Sequence, residues 1–85
     1  GPFNFYILYG GMVMNIKYLI TDSNLCKWFE VSNYNNTGSI VVGVPFNDSR
    51  LLDDHGIPYS SDDSSAIELR DLIINTMRDK NNGKI

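Results

Sequence analysis

The sequence SSAIELRDLIINTMRDKNN at residues 64–82 is the segment against which we expect the rest of the chain to pack. Its apolar side chains recur at the three- and four-residue spacing of an amphipathic helix, and its polar side chains fall largely on the other side. Ser65 and Glu68 match a capping box, in which the serine side chain accepts a backbone N–H bond and the glutamate returns one. The Asn-Asn-Gly run at 81–83 tolerates the left-handed conformation that ends helices. We therefore predict one helix over about 65–82.

The sequence before this helix predicts three strands. Apolar and polar side chains alternate over about 14–22, 25–34 and 39–46, which is the period of a half-buried strand. The Asn-Asn-Thr-Gly run at 35–38 supplies the residue types that tolerate positive φ in a tight hairpin. Strands joined by short turns are antiparallel neighbours in a sheet.

The expected architecture is α+β: a small antiparallel three-stranded meander packed against one C-terminal helix, with an N-terminal segment that could add a fourth strand. A single sheet must cover its apolar face, and the helix is the only candidate. The alternation places Ile20 and Phe46 on this covered face, and either Trp28 or Phe29 outside it. The irregular loop 47–63 is long for a compact domain, which is typical of functional or disordered segments.

The N-terminal residues stand apart from the rest. Gly1 and Pro2 are typical of a cleaved affinity tag, and residues 3–13 contain no charged side chain. One hypothesis is that the natural product starts at Met14, because the preceding Gly-Gly pair can be encoded as a bacterial ribosome-binding sequence. Residues 14–85 would then form the single domain. The competing interpretation is that 3–13 is a genuine strand, buried or at an interface.

Composition excludes several classes of protein. The chain has 85 residues, a net charge of -3 and one cysteine, Cys26. An acidic protein is a poor ligand for phosphates, so we expect no direct binding to nucleic acid. The sequence shows no secretory signal and no membrane-spanning run, so we expect a reducing bacterial cytoplasm and no membrane association. A domain this small gains stability by association, and we leave open a homodimer.

The candidate partner-binding residues are acidic, with one aromatic. Acidic side chains concentrate in the loop and early helix, and Arg78, Lys80 and Lys84 follow at the C-terminal end. Aspartates near a helix start are also favoured by the helix dipole, which is a purely structural explanation. The functional interpretation is an acidic surface that docks on a basic surface of a protein partner. On that interpretation the binding residues are Asp53, Asp54, Asp62 and Asp63, with Trp28 as an exposed aromatic anchor.

We expect no metal, cofactor or catalytic residue. Asp53, Asp54 and His55 are adjacent, and adjacent side chains rarely converge on one ion without a second His or Cys pair. A polar turn explains them. Cys26 would need His55 as a base to act as a nucleophile, and a half-buried strand cysteine is the simpler interpretation.

Two segments carry a family resemblance. The sequence YLITDS at 18–23, followed by two more strands and then SAIELRDLI at 65–73, resembles the first half of a ribonuclease H-like domain. In that family the first strand ends in a catalytic aspartate and the first helix carries a glutamate. The resemblance implies that Asp22 and Glu68 would hold magnesium.

We predict a small acidic, non-enzymatic protein-interaction domain. Its size and its Asn, Ile, Tyr and Lys usage resemble those of accessory proteins of low-GC bacteria and their phages. Such a protein would bind and inhibit or modulate a host protein, for example a nucleic-acid enzyme or a defence complex. The alternatives are a ribonuclease H-like, metal-dependent nucleic-acid enzyme fragment, and a self-assembling structural protein that pairs through residues 3–13.

Overall fold

The computed structural model describes residues 3–35 and 37–81, with the side chain of Asn81 excepted. It contains one four-stranded sheet in the order β1-β2-β3-β4, with antiparallel neighbours throughout, and one helix. This confirms the predicted α+β meander with a fourth, N-terminal strand. The elements are β1 (Asn4–Tyr9), β2 (Met12–Thr21), β3 (Lys27–Asn33), β4 (Ser39–Val44) and α1 (Ser64–Asn81).

The N-terminal segment is an integral strand of this sheet. Gly10 and Gly11 connect β1 to β2 with φ values of 59° and 77°, the positive pair that a two-residue hairpin turn requires. Phe5 and Ile7 of β1 lie buried in the core. The start of the natural product at Met14 stays a prediction.

Phe29 is at the centre of the core. It is fully buried on the sheet face that α1 covers, and its ring meets the edge of Phe5 at a centroid distance of 6.4 Å and of Tyr18 at 5.9 Å. Edge-to-face pairs of this kind stabilise a core beyond the burial of their area. The helix contributes Ala66, Leu69 and Ile73 to the same cluster.

Two residues that we expected on the covered face lie outside it. A register shift between Tyr18 and Ile20 reverses the faces on which the side chains at the end of β2 lie. Ile20 is therefore 59% exposed. Because a bulge adds one residue to a strand, every side chain beyond it changes face. β4 ends at Val44, before Pro45, which has no N–H to donate to a ladder. Phe46 therefore lies beyond the strand and is 78% exposed.

The cap of α1 also differs from the prediction. The N–H of Ala66 donates to the Asp63 carboxylate at 3.1 Å, and α1 begins at Ser64. Asp63 is thus the capping residue, and the capping box at Ser65 and Glu68 is wrong. The reason is that an aspartate two residues earlier in the chain reaches an unpaired N–H of the first turn, which leaves Ser65 inside the helix.

Three predictions fall wholly or partly outside the described residues. These are the tag remnant at Gly1 and Pro2, the middle of the hairpin turn at Asn36, and the helix stop at Asn82 and Gly83.

The loop 47–63 is ordered along the β4 edge. Leu52 and Gly43 exchange two backbone hydrogen bonds, at 2.8 and 2.9 Å, and Tyr59 donates its N–H to the carbonyl of Leu51. Leu51 is buried in the core on the covered face. The loop therefore pairs with one edge of the sheet.

Candidate functional site

A cavity of about 760 Å³ lies beside Trp28. Three parts of the chain line it besides Trp28: the turn at 22–26, the residues at 45–48 that follow β4, and Leu52, Gly56 and Pro58 of the loop. Two carboxylates, Asp22 and Asp48, line it. Its large apolar lining residues are Leu25, Trp28, Pro45, Phe46, Leu52 and Pro58.

The Asp22 carboxylate organises one wall of this cavity. One of its oxygens accepts the N–H of Asn24 at 2.9 Å and of Cys26 at 3.0 Å, and the other accepts the indole N–H of Trp28 at 3.0 Å. The bond from Trp28, followed by that from Cys26, holds the pKa of Asp22 below its ordinary value. One side chain therefore fixes both the turn and the indole ring, and it stays ionised at neutral pH.

The same turn holds an unusual backbone conformation. Leu25 has a φ of 61°, a region that a branched side chain rarely adopts, and its N–H donates to the carbonyl of Asp22. Such a conformation persists where the surrounding bonds fix it. The Leu25 side chain is exposed at the rim of the cavity.

Gly43 makes room for the Trp28 ring. A Cβ atom added at Gly43 would lie 2.9 Å from two ring carbons of Trp28 and 2.9 Å from the sulfur of Cys26. Only a glycine allows this close approach without a shift of the ring or the thiol. Cys26 is buried, and this burial, together with the Asp22 charge, raises the pKa of its thiol. A raised pKa keeps Cys26 in the thiol form, which is a weak nucleophile. The surroundings of Cys26 therefore favour a structural role in packing over a catalytic one.

The charge of the cavity is negative. Asp48 is paired with Arg50 at 3.3 Å, and the hydrogen bonds from Arg50 hold the pKa of Asp48 low. Asp22 has no such cationic partner among the described residues. No Lys, Arg or His lines the cavity in the described part of the chain. One uncompensated negative charge therefore lies next to an aromatic ring.

None of the four predicted acidic residues lines the cavity beside Trp28. Asp53, Asp54 and Asp63 instead surround Tyr59, whose pKa is raised first by burial and then by these three charges. The structure thus brings most of the predicted acidic cluster together, but it does not join that cluster to the predicted aromatic anchor.

Two of these four carboxylates have structural partners in the backbone. Asp53 accepts the N–H groups of His55 and Ile57 at 2.8 and 3.0 Å, which closes the turn of the loop. Asp63 caps α1. Asp54 and Asp62 are exposed and accept no backbone hydrogen bond that the structure records. Asp54 and Asp62 are therefore the pair that can be changed without removing a backbone contact.

Magnesium chemistry at Asp22 and Glu68 stays a prediction. Both oxygens of Asp22 already accept N–H groups, and a metal ion would compete with them. Glu68 is exposed on α1. Among the described residues, no group of three or more His, Cys, Asp or Glu is placed to hold a metal ion.

Two residues that line the cavity were not identified as partner-binding residues from the sequence. Asp22 was considered as a turn residue and a metal ligand, and Phe46 as a core residue. Gly43, which lies against Trp28, was not considered. The turn-forming run at 22–24 was a signal that Asp22 bonds to nearby backbone, but its bond to Trp28 is a side-chain contact that spacing does not reveal.

The described part of the chain contains no helix with the length and hydrophobicity needed to cross a membrane. No protein-family model, curated protein or solved structure is significantly similar to the chain.

Proposed function

We propose that this protein is a small acidic, non-enzymatic protein-interaction domain that receives a basic side chain of its partner in the cavity beside Trp28. The observation that carries the proposal is the lining of that cavity. It combines the Trp28 ring and exposed Phe46 with two carboxylates, and no described Lys, Arg or His lines it.

The chemistry of these groups matches an arginine or lysine side chain. A cation is attracted to the face of an aromatic ring, most strongly to tryptophan, by about 0.5–1 kcal/mol at exposed sites. A carboxylate has about four lone-pair positions, and the structure records three N–H donors on Asp22. Asp22 therefore keeps its charge and one acceptor position for a guanidinium or ammonium group.

The acidic cluster around Tyr59 supports the same kind of partner. Exposed charges such as Asp54 of this cluster, and Asp62 next to Asp63 in the chain, contribute little to affinity individually, but they raise the rate of encounter with a basic surface. This contribution falls as salt screens the charges. In our proposal the cavity beside Trp28 supplies the anchor, and the acidic cluster supplies the steering.

The finer proposal is an accessory protein of a phage or mobile element that works in the bacterial cytoplasm. There it would bind and inhibit or modulate a host protein, such as a nucleic-acid enzyme or a defence complex. Its support is the composition of the chain and its negative charge. Nucleic-acid enzymes present basic grooves, and an acidic domain of this size is complementary to such a groove.

A fluorescence titration tests the anchor. Trp28 is the only tryptophan of the chain, so the indole emission reports on this cavity alone. We expect a saturating change in emission with an oligoarginine peptide, and none with an oligocitrulline peptide, which has nearly the same shape without the charge.

Two matched variants locate the binding. Phe46→Ala removes a ring that lines the cavity. Because Phe46 is 78% exposed, we expect little loss of stability. We expect about two- to fivefold weaker binding, from the loss of one exposed cation–π contact. Tyr34→Ala removes an equally exposed ring outside the cavity and should leave binding unchanged. Equal effects of the two variants would reject the cavity as the binding site.

A further inference from the structure

β1 is an open edge of the sheet. It pairs with β2 on one side, and no strand of the described residues 3–35 and 37–81 pairs with its other side, whereas the β4 edge is paired with Leu52 of the loop. An unpaired edge presents N–H and C=O groups to any other strand that approaches. The fold therefore leaves one of its two edges available for pairing.

The register identifies which backbone groups of β1 point outward. Tyr18 donates its N–H to the carbonyl of Phe3 at 3.0 Å, so the backbone of Phe3 faces β2. Hydrogen-bonded pairs alternate along an antiparallel ladder. The odd-numbered residues of β1 therefore face β2, and the backbone groups of Asn4, Tyr6 and Leu8 face the open edge.

β1 lacks the lysines, prolines and bulges that prevent edge-to-edge pairing in many natural sheets. Natural edge strands carry lysines, prolines or bulges that keep other strands away. Residues 3–13 contain no charge, and β1 contains no proline and pairs with β2 in one continuous register. In a two-fold arrangement the residue at the axis lies opposite its own copy, so any charge there would repel itself. Because β1 carries no charge, this self-repulsion is absent when the second strand comes from another copy of this chain.

We propose that β1 pairs antiparallel with β1 of a second copy about a two-fold axis, with Tyr6 opposite Tyr6 of the partner subunit. In this register Asn4 lies opposite Leu8 of the partner subunit, and every outward backbone group of β1 gains a partner. Each of the two neighbouring hydrogen-bonded registers pairs only two of these three outward residues. One places Asn4 opposite Gly10, which lies in the hairpin turn at a φ of 59°, and the other places Leu8 opposite a residue that precedes β1. The register centred on Tyr6 is therefore the one that pairs all three.

The exposed side chains of β1 agree with this arrangement. Tyr6 and Leu8 are 63% and 66% exposed on the sheet face away from α1. Pairing would bring the two Tyr6 rings together across the axis, and aromatic pairs across strands are stabilising. The result is a continuous eight-stranded sheet.

This inference is independent of the proposed function. No described residue of β1 lines the cavity beside Trp28, so dimerisation leaves that cavity accessible. A monomeric protein would therefore not argue against binding of a basic side chain beside Trp28, and absence of that binding would not argue against the dimer.

Disulfide cross-linking tests the register. Residues of a hydrogen-bonded antiparallel pair have Cα atoms about 5.5 Å apart, within the range of about 4.4–6.8 Å that a disulfide spans. Tyr6→Cys should therefore cross-link to its own copy under mild oxidation. Leu8→Cys should not, because its own copy lies four residues along the strand, about 14 Å away. Asn4→Cys mixed with Leu8→Cys should cross-link as a heterodimer, and native Cys26 should not participate because it is 3% exposed.

Molar mass in solution gives a second, independent test. Light scattering of the full chain should give twice 9.6 kDa. Tyr6→Lys should give the monomer mass, since two lysines would then oppose each other at the axis. A mixture of Tyr6→Lys with Tyr6→Glu should restore the dimer. Tyr34→Lys makes the same kind of change at an exposed tyrosine outside β1 and should remain dimeric.

Two results would overturn the inference. One is a mass of 9.6 kDa for the unmodified chain at every concentration tested. The other is cross-linking of Leu8→Cys as efficient as that of Tyr6→Cys, which would show that contacts between copies do not follow this register.

Discussion

Gly43→Ala should destabilise the protein, because the Trp28 ring occupies the space that a methyl group needs. The added Cβ would lie 2.9 Å from two ring carbons and from the Cys26 sulfur, closer than real Cβ contacts come. The indole is held by its hydrogen bond to Asp22, and the Cys26 side chain is buried. Neither side chain can therefore move aside easily to make room for the added Cβ.

The expected magnitude follows from two opposing effects. Overpacking a well-filled site costs about 1–3 kcal/mol of the free energy of unfolding. Replacing glycine by alanine recovers about 0.4–1 kcal/mol by restricting the unfolded chain. We expect a net loss of about 1–2 kcal/mol, which for a chain of this size lowers Tm by about 4–16 °C. Urea and thermal unfolding measure this loss.

Gly38→Ala is the matched control. Nothing lies within 4 Å of a Cβ at Gly38, and its φ lies outside the positive range that disfavours other residues. Gly38→Ala should therefore be neutral or slightly stabilising. The double variant Gly43→Ala with Trp28→Phe should recover part of the loss, because phenylalanine lacks the outer ring of the indole. A Gly43→Ala protein as stable as the unmodified chain would refute the packing described for Trp28.

Three further predictions concern the acidic residues. Asp63→Ala should lower the free energy of unfolding in urea by about 1 kcal/mol through loss of the cap, whereas Ser65→Ala should be nearly neutral. A larger loss for Ser65→Ala than for Asp63→Ala would show that Ser65 is the cap. Because the pKa of Asp22 is lowered from 3.8, its contribution to stability is present above that pH and is lost as pH falls through the folded-state pKa. Unfolding midpoints should therefore decline less steeply in acid for Asp22→Asn than for the unmodified protein, and identical acid profiles would contradict this. The double variant Asp54→Asn with Asp62→Asn should slow association with oligoarginine in stopped-flow at low salt. The association rates of the variant and the unmodified protein should become equal at high salt, and a difference that persists there would exclude electrostatic steering.

The elements of the fold were predictable from periodicity. The helical spacing at 64–82 and the alternation in the strands are local patterns, and they suffice for a meander and a helix. The turn at Gly10 and Gly11 was not recognised, since the Gly-Gly pair was interpreted as an encoded ribosome-binding sequence. Once paired with β2, the covered face of β1 supplies Phe5 and Ile7 to the core.

Details that depend on pairing were not predictable. The bulge beside Ile20 shifts the register against β3, and alternation within one strand contains no information about its neighbour. Two overlapping cap signals occupy residues 63–68, and a local pattern does not choose between them. The sequence indicated Trp28 as an aromatic anchor and the four aspartates as its acidic surroundings. Its acidic neighbours in the structure are instead Asp22 and Asp48, brought to Trp28 by the turn and the end of β4.

The proposed binding of a basic side chain in the cavity beside Trp28 is tested by titrating the ¹⁵N-labelled protein with oligoarginine and following the indole N–H of Trp28 by NMR. We expect a saturating shift of that signal and of the Asn24 and Cys26 amides, which donate to the Asp22 carboxylate as the indole does. We expect no shift at Tyr34. An unchanged indole signal, or shifts confined to residues around Asp54, would rule out this cavity as the binding site.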